Sequence, residues 1–229
     1  MEARRLNPRL WDTDWLMLRG LASTLKEQLG SHLGKGARLI DLGCGDMPYR
    51  TAIEQLGVSY RGADIVEGAD LLIGPDGKVD LPDGSADAVL SIQVLEHVRD
   101  LDAYCAEAQR LLGPDGTLFL STHGNWLYHP HPEDHWRWTR TGLEAALNDR
   151  GFTVCETRAL VGPLATTTII RLTGFAWVIR KLPVLGGMIA GALAVVMNTR
   201  AWLEDCITPV NLRDTNACIY WVRARKVAA

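Results

Sequence analysis

Along residues 11 to 30 the apolar positions fall three and four apart. Trp11, Trp15, Leu18, Leu21 and Leu25 make one stripe, which predicts an amphipathic helix. The pattern then shortens. In "ARLIDLGCGDMPYR" the run Leu39, Ile40 and Leu42 meets two glycines and Pro48, the mark of a buried strand turning sharply toward a helix. "VSYRGADI" predicts a second strand ending in Asp64, and "SADAVLSIQ" is a continuous apolar run bounded by turn residues. In "VRDLDAYCAEAQRLLGPDG" the stripe Leu101, Tyr104, Cys105, Ala108, Leu111 and Leu112 predicts a helix closed by Gly113 and Pro114. "TLFLST" predicts another strand, residues 140 to 150 a helix, and "GFTVCETR" and "NACIYWVRAR" the last strands.

Strand and helix patterns in alternation predict an α/β chain with a parallel sheet covered on both faces. The chain has 229 residues, enough for one well-cored domain with additions. Hydrophobic residues make up 47% and charged residues 22%, as in globular proteins, which excludes a disordered or collagen-like chain. A net charge of −3 provides no global field for nucleic acid. Cys44, Cys105, Cys155, Cys206 and Cys218 form no C-x-x-C pair, and charges and Pro8 interrupt any apolar leader in the first thirty residues. The expectation is a cytoplasmic protein.

A strand followed by Gly43, Cys44 and Gly45 is a generic nucleotide-loop shape, since glycine lets a ligand approach the backbone. The dinucleotide fingerprint would need a third glycine where Pro48 stands. The ordered set "LIDLGCG", "GADI", "DLPDGSADAVLSIQVLEHV" and "RLLGPDGTLFLST", over residues 35 to 155, resembles the class I S-adenosylmethionine-dependent methyltransferases, their type-11 branch in particular. The resemblance implies a Rossmann-like, doubly wound, mostly parallel seven-stranded sheet. It implies that Asp41, Gly43 and Gly45 line the methionine part of the cofactor and that Asp64 accepts from the ribose hydroxyls. Adenine would rest near Asp80 and Leu81, with Asp76 as a rival, and Gln93 would face the sulfonium. Asp83 and Asp87 read as turn residues and Asp46 as a helix cap.

"YHPHPEDHWRWT", residues 128 to 139, crowds three of the six histidines beside two tryptophans. It follows the fifth strand and so starts at the carboxyl edge of the sheet. Histidine suits the removal of a proton from a hydroxyl nucleophile. The pattern resembles a loop of type-11 members associated with polysaccharide and glycolipid assembly. On that resemblance the acceptor is a hydroxyl of a sugar, oligosaccharide or glycolipid. His129 would be the general base with His131 the alternative, Asp134 would orient histidine or substrate, and Trp136, Arg137 and Trp138 would bind substrate. Arg137 reads equally as a structural partner of Asp134, and Thr139 as a helix cap. His129, His131, Asp134 and His135 are also ligand types for a divalent metal such as magnesium. His97, in "VLEHV", is a rival for the base, but the resemblance implies that Glu96 and His97 are architectural. A small-molecule acceptor (lipid, quinone or secondary metabolite) is the alternative, and a silent cofactor-binding partner subunit the alternative from another class.

Between Thr157 and Leu203 no acidic residue occurs, while Arg158, Arg171, Arg180, Lys181 and Arg200 are basic. The apolar run Val184–Met197 falls short of the roughly 20 residues that span a bilayer. Three readings stay open: a helical pair closed through Gly187 and Gly191 that completes the pocket or a homodimer, a peripheral contact with an anionic membrane at its inner face, or the binding of a lipid-linked or long glycan. The expected organisation is one domain: an N-terminal helix in 1–34 with Trp11 and Trp15 folding over the cofactor as a lid, a simple core-facing stripe explaining the same pattern about as well, a cofactor core at 35–157, an apolar helical insertion at 158–211 and the last strand at 212–229.

Overall fold

A computed structural model describes residues 2–227. In chain order the elements are α1 (Glu2–Leu6), α2 (Trp15–His32), β1 (Arg38–Leu42), α3 (Arg50–Glu54), β2 (Ser59–Asp64), β3 (Leu71–Leu72) and β4 (Ala86–Ile92). They continue with α4 (Leu101–Leu111), β5 (Leu112–His123), α5 (Arg140–Asn148), β6 (Phe152–Leu160), α6 (Pro163–Ile179), α7 (Gly186–Ile207), α8 (Val210–Thr215) and β7 (Ile219–Lys226). The seven strands lie in the order β3-β2-β1-β4-β5-β7-β6. β1 pairs in parallel with β2 and β4, and β4 with β5, whereas β7 runs antiparallel between β5 and β6.

The strands read as continuous apolar runs because helices cover both faces. Side chains alternate between two cores with the strand period of two. Ile40, Leu42, Val89, Leu118, Leu120, Tyr220 and Val222 belong to the core shared with α4 and α5. Their neighbours Leu39, Leu90, Phe119 and Trp221 join Leu21, Leu25 and Leu29 of α2 and Ile53 of α3 on the other face. Asp100 caps α4 by accepting from Ala103 N at 2.9 Å, and Thr139 caps α5 by accepting from Gly142 N at 3.1 Å, as expected. Asp46 caps nothing, since α3 starts only at Arg50 behind Tyr49. Gly113 and Pro114 do not end a helix but already belong to β5.

The N-terminal expectation needs correction. The helix begins at Trp15, and Trp11 lies ahead of it, 52% exposed beneath the Arg9 guanidinium. Because α2 lays Leu21, Leu25 and Leu29 against the sheet, it is a layer of the core. The short α1 instead brings Arg5 close enough to act on Asp41 and Tyr49 at the carboxyl edge.

The insertion before β7 is helical, as expected, and its main part is the α6–α7 hairpin. Its seam is Leu172, Ala176, Ala190 and Ala194, small residues that let the two backbones approach. Its base joins the domain through Leu16, Met17, Val161, Ala165, Ile169 and Ala201. Closure does not run through Gly187 and Gly191. A Cβ on Gly187 would meet nothing within 4 Å, and one on Gly191 would only touch Trp11 at 3.9 Å. The close approach is at Gly186, where a Cβ would stand 2.4 Å from the Ile179 carbonyl oxygen and 3.2 Å from Arg180 Cα. Gly186→Ala should therefore destabilise the chain by about 1–3 kcal/mol through overpacking. Gly187→Ala should be neutral or gain up to about 1 kcal/mol of helix propensity. Urea denaturation of both variants checks this, and equal effects would show that the hairpin does not close through Gly186.

Candidate functional site

The strand ends of β1, β2, β4 and β5 meet at one edge of the sheet, and the candidate site is built on them. At the end of β1, Asp41 is buried and accepts from the Tyr60 hydroxyl at 2.6 Å. Burial pushes its carboxyl up to about 7, with Tyr60 and Arg5 opposing and Asp64 adding to the rise. The glycine turn follows. Gly43 (φ +85°) and Gly45 (φ +55°) adopt the left-handed backbone that glycine takes without strain. A Cβ on Gly43 would strike the Val94 side chain at 2.7 Å, so this glycine lets the β1 turn close on the end of β4. Nothing lies within 4 Å of a Cβ on Gly45, which leaves that backbone open to a ligand. Asp64, the last residue of β2, accepts from Gly45 N at 2.7 Å and from Val66 N at 3.2 Å. The structure thus brings Asp41, Gly43, Gly45 and Asp64 together. Cys44 between them is no nucleophile, because burial and the Asp41 and Asp64 charges push its thiol up to about 12.

Gln93, just beyond β4, sits at φ +56°, a strained backbone of the kind held at functional sites. Its N–H donates to the Ser121 carbonyl at 2.9 Å and its Nε2 to Ser121 Oγ at 3.0 Å, while its buried Oε1 has no partner. That unanswered acceptor, the acids Asp41 and Asp64 and the open face of Gly45 fit a ligand that carries positive charge and a ribose diol. Asp80 and Leu81 stand in the loop after β3. They share an open recess of about 530 Å³ with Leu72, Asp76 and Arg110, and Leu72 is the strand partner of Asp64. Asp76 Oδ1 accepts from Lys78 N at 3.2 Å, so this rival serves its own turn. Asp83 and Asp87 pair with Arg110 and Arg38.

The loop from 124 to 139 folds back over the ends of β4 and β5. Its clasp is Asp134, which receives Arg137 through two contacts of 2.6 Å and the His129 N–H at 2.8 Å. Arg137 also donates to the carbonyls of Trp126 and Trp136. The Arg137 guanidinium holds the Asp134 carboxyl far below the usual range. The loop is further pinned by His135 N to Glu96 O at 2.8 Å and Trp138 N to His123 O at 3.0 Å.

This clasp corrects several expectations. Arg137 is the structural partner of Asp134, with its donors spent inside the loop. Trp138 packs on the core, and Trp136 stacks on it at 5.7 Å while donating to Val98 O, so of the two expected substrate tryptophans Trp136 is the exposed one. The suggested metal set of His129, His131, Asp134 and His135 is not assembled, because Asp134 faces Arg137 and His135 pairs with Glu133 at 3.0 Å.

What the loop does assemble is an imidazole cluster. The His129 ring lies 4.9 Å from His123, 5.0 Å from His97 and 5.9 Å from His131, centroid to centroid. His129 Nδ1 stands 3.6 Å from Asp134 Oδ2, beyond hydrogen-bond distance, and is buried without a hydrogen-bond partner. His97 is held by donating from Nδ1 to the Glu133 carbonyl at 2.6 Å. Behind them Glu96 is fully buried, accepts from the Thr122 hydroxyl at 2.8 Å and faces His123 Nε2 at 3.5 Å. Burial raises the Glu96 carboxyl to about 7 and lowers both His123 and His129, so these imidazoles are neutral near pH 7. Glu96, His123 and His129 each offer an atom within 4.8 Å of the others, a grouping able to pass a proton or to meet a cation. Sequence reasoning missed His123. Its signal was its place as the last residue of "TLFLSTH", at the carboxyl end of β5.

Residues 16–157 match a family model described as a methyltransferase domain. A ubiquinone biosynthesis O-methyltransferase from Xanthomonas oryzae pv. oryzae is 31% identical over 133 residues, covering 50% of this chain and 56% of that protein. A probable S-adenosylmethionine-dependent methyltransferase from Mycolicibacterium smegmatis is 28% identical over 111 residues, 44% of this chain and 43% of that protein. The chain thus spans about half the length of these curated relatives. Among solved structures, the [4+2]-cyclase SpnF superposes with a TM-score of 0.61 at 17% identity, covering 94% of this chain and 83% of that one. The 1,6-didemethyltoxoflavin-N1-methyltransferase of Burkholderia thailandensis, solved with S-adenosylhomocysteine, gives 0.58 at 17% identity, covering 91% and 79%. These likenesses establish the fold.

Two outcomes follow from the site's electrostatics. Asp41 has its pKa raised on folding, so its contribution to stability is complete below about pH 4, its unfolded range, and is lost as pH rises toward about 7. Asp41→Asn keeps an acceptor for Tyr60 and should flatten part of that decline in thermal melts across this range, Glu96 supplying the remainder. An unchanged slope would refute the buried-acid assignment. Arg137→Lys cannot reproduce the two-pronged clasp. Hydrogen exchange at His129 N and Trp138 N should accelerate at least tenfold, and unchanged protection would remove Arg137 as the fastening of the loop.

Proposed function

Because the chain belongs to the methyltransferase-domain family, of the class I S-adenosylmethionine-dependent type, we propose that it methylates a hydroxyl of a small, largely apolar acceptor, with His129 as general base. The observation that carries this reading is the meeting, at one sheet edge, of a cation-accepting group with a cluster of imidazoles. Asp41, Asp64 and the free Gln93 Oε1 stand on one side and His129 with its neighbours on the other. S-adenosylmethionine supplies a methyl group made electrophilic by its cationic sulfur. Asp41 would face the ammonium end, whose charge offsets the cost of an ionised buried acid. Asp64 would take the ribose hydroxyls and Gln93 Oε1 the sulfonium side. His129 would accept the acceptor's proton, its ring steered by the Asp134 carboxylate at 3.6 Å.

The small-molecule reading replaces the sugar or glycolipid expectation for two reasons. The Xanthomonas relative described above carries a name from ubiquinone biosynthesis, and the residues expected to grip a sugar, Arg137 and Trp138, are consumed within the loop. Exposed aromatic surface at Trp136 and Tyr128 suits the face of an unsaturated ring.

Calorimetric titration with S-adenosylmethionine and labelled-methyl transfer to hydroxylated aromatic probes test the reading. Asp64→Ala should weaken cofactor binding at least tenfold. His129→Ala should leave cofactor affinity intact and lower turnover by about 10²–10⁴, with His131→Ala milder. Unaltered turnover in both histidine variants would eliminate the base, and absence of cofactor binding by folded protein would eliminate the function. Turnover lost on chelation and restored by magnesium would turn the Glu96–His123–His129 group from proton acceptor to cation site.

A further inference from the structure

The α6–α7 hairpin displays apolar side chains that the methyl-transfer site does not use. At its tip Leu182, Val184, Leu185 and Met188 face solvent, Val184 at 99% exposure and Met188 at 71%. Trp177 is 64% exposed, with Lys181 Nζ 3.4 Å from its ring centroid. Phe175 and Val178 extend the same surface along α6. Soluble monomers rarely leave so much contiguous apolar area in water. These side chains do not hold the hairpin together either. Its seam is the alanine row with Leu172, facing inward.

Charge selects the partner. No acidic residue occurs between Thr157 and Leu203, and Arg180 and Lys181 immediately precede the apolar tip. Two copies joined symmetrically tip to tip would bring these cations against each other, with no acid of either tip to answer them. A surface rich in phosphate answers them directly. An exposed tryptophan under a lysine, beside bulky aliphatics, is also the composition that sits well between headgroups and acyl chains. None of the helices among the described residues is long and apolar enough to cross a membrane, so the contact lies at the surface.

We propose that the α6–α7 tip is a peripheral membrane-binding element for anionic bilayers. Leu182, Val184, Leu185 and Met188 enter the interface, and Arg180 and Lys181 take the lipid phosphates. The element is independent of the acceptor's identity and works whether or not methyl transfer is as described above.

The test is co-sedimentation of the full chain with vesicles of phosphatidylcholine alone and of phosphatidylcholine with phosphatidylglycerol. The wild-type chain should bind the anionic vesicles, prefer them over the neutral ones and weaken with added salt. Arg180→Gln with Lys181→Gln should lose about thirtyfold in affinity, roughly fivefold for each cation. Val184→Asp should abolish binding while circular dichroism and S-adenosylmethionine affinity stay unchanged, which separates loss of the surface from loss of fold. Tryptophan emission should shift to the blue on vesicles and lose that shift in Trp177→Phe. Equal binding to both vesicle types, or full binding by Val184→Asp, would overturn the proposal. A wild-type dimer in sedimentation velocity that Val184→Asp dissociates would overturn it too, giving the surface to a second copy.

Discussion

Parallel pairing of β1 with β2 and β4 is the constraint on which the rest of the molecule depends. Parallel strands all end at the same edge, so every residue that closes a strand there becomes a neighbour of the others. Asp41, Asp64, Gln93 and His123 come from distant parts of the chain and share an edge for this reason alone. The glycine turn tightens the arrangement. Gly43 N and Cys44 N both donate to the Ala63 carbonyl, and Gly45 N to Asp64, so β1 and β2 are fastened just where a ligand would sit.

The site is also where the fold accepts unfavourable electrostatics. Asp41 and Glu96 are buried carboxyls, each with a single hydroxyl donor, and burial raises both to about 7. Asp134 is the contrast: Arg137 and a backbone N–H satisfy it fully, and its charge is firmly held. Poorly answered acids stand near the expected chemistry and the well answered one fastens the loop.

The helical insertion is tied to this edge as well as to the sheet. Trp126 stacks on His123 at 5.8 Å and packs against the cluster formed by α2, α6 and α7. Asn198 of α7 donates to the carbonyls of Leu10 and Asp12, so the hairpin also fixes the N-terminal segment. A surface element and the loop from 124 to 139 are therefore joined through a few buried contacts.

Much of this was legible in the sequence because it rests on local rules. Strand and helix periods, the Gly43–Gly45 turn, the Asp64 strand end and the Thr139 cap are set within a few residues, and the structure places them as read. The two-residue β3 was too short to leave a period, and Gly113 and Pro114 looked like a stop although β5 begins ahead of them. Tertiary structure alone decided which histidines meet, since Glu96, His123 and His129 lie on three separate segments: the pairing of β4 with β5 brings Glu96 to His123, and the clasp of Asp134 and Arg137 brings His129. It alone decided that Gly186, and neither Gly187 nor Gly191, lets the hairpin close, because a glycine's use depends on what stands opposite it. Periodicity records which face of an element is buried; which residue lies across the gap is fixed only when the elements are packed.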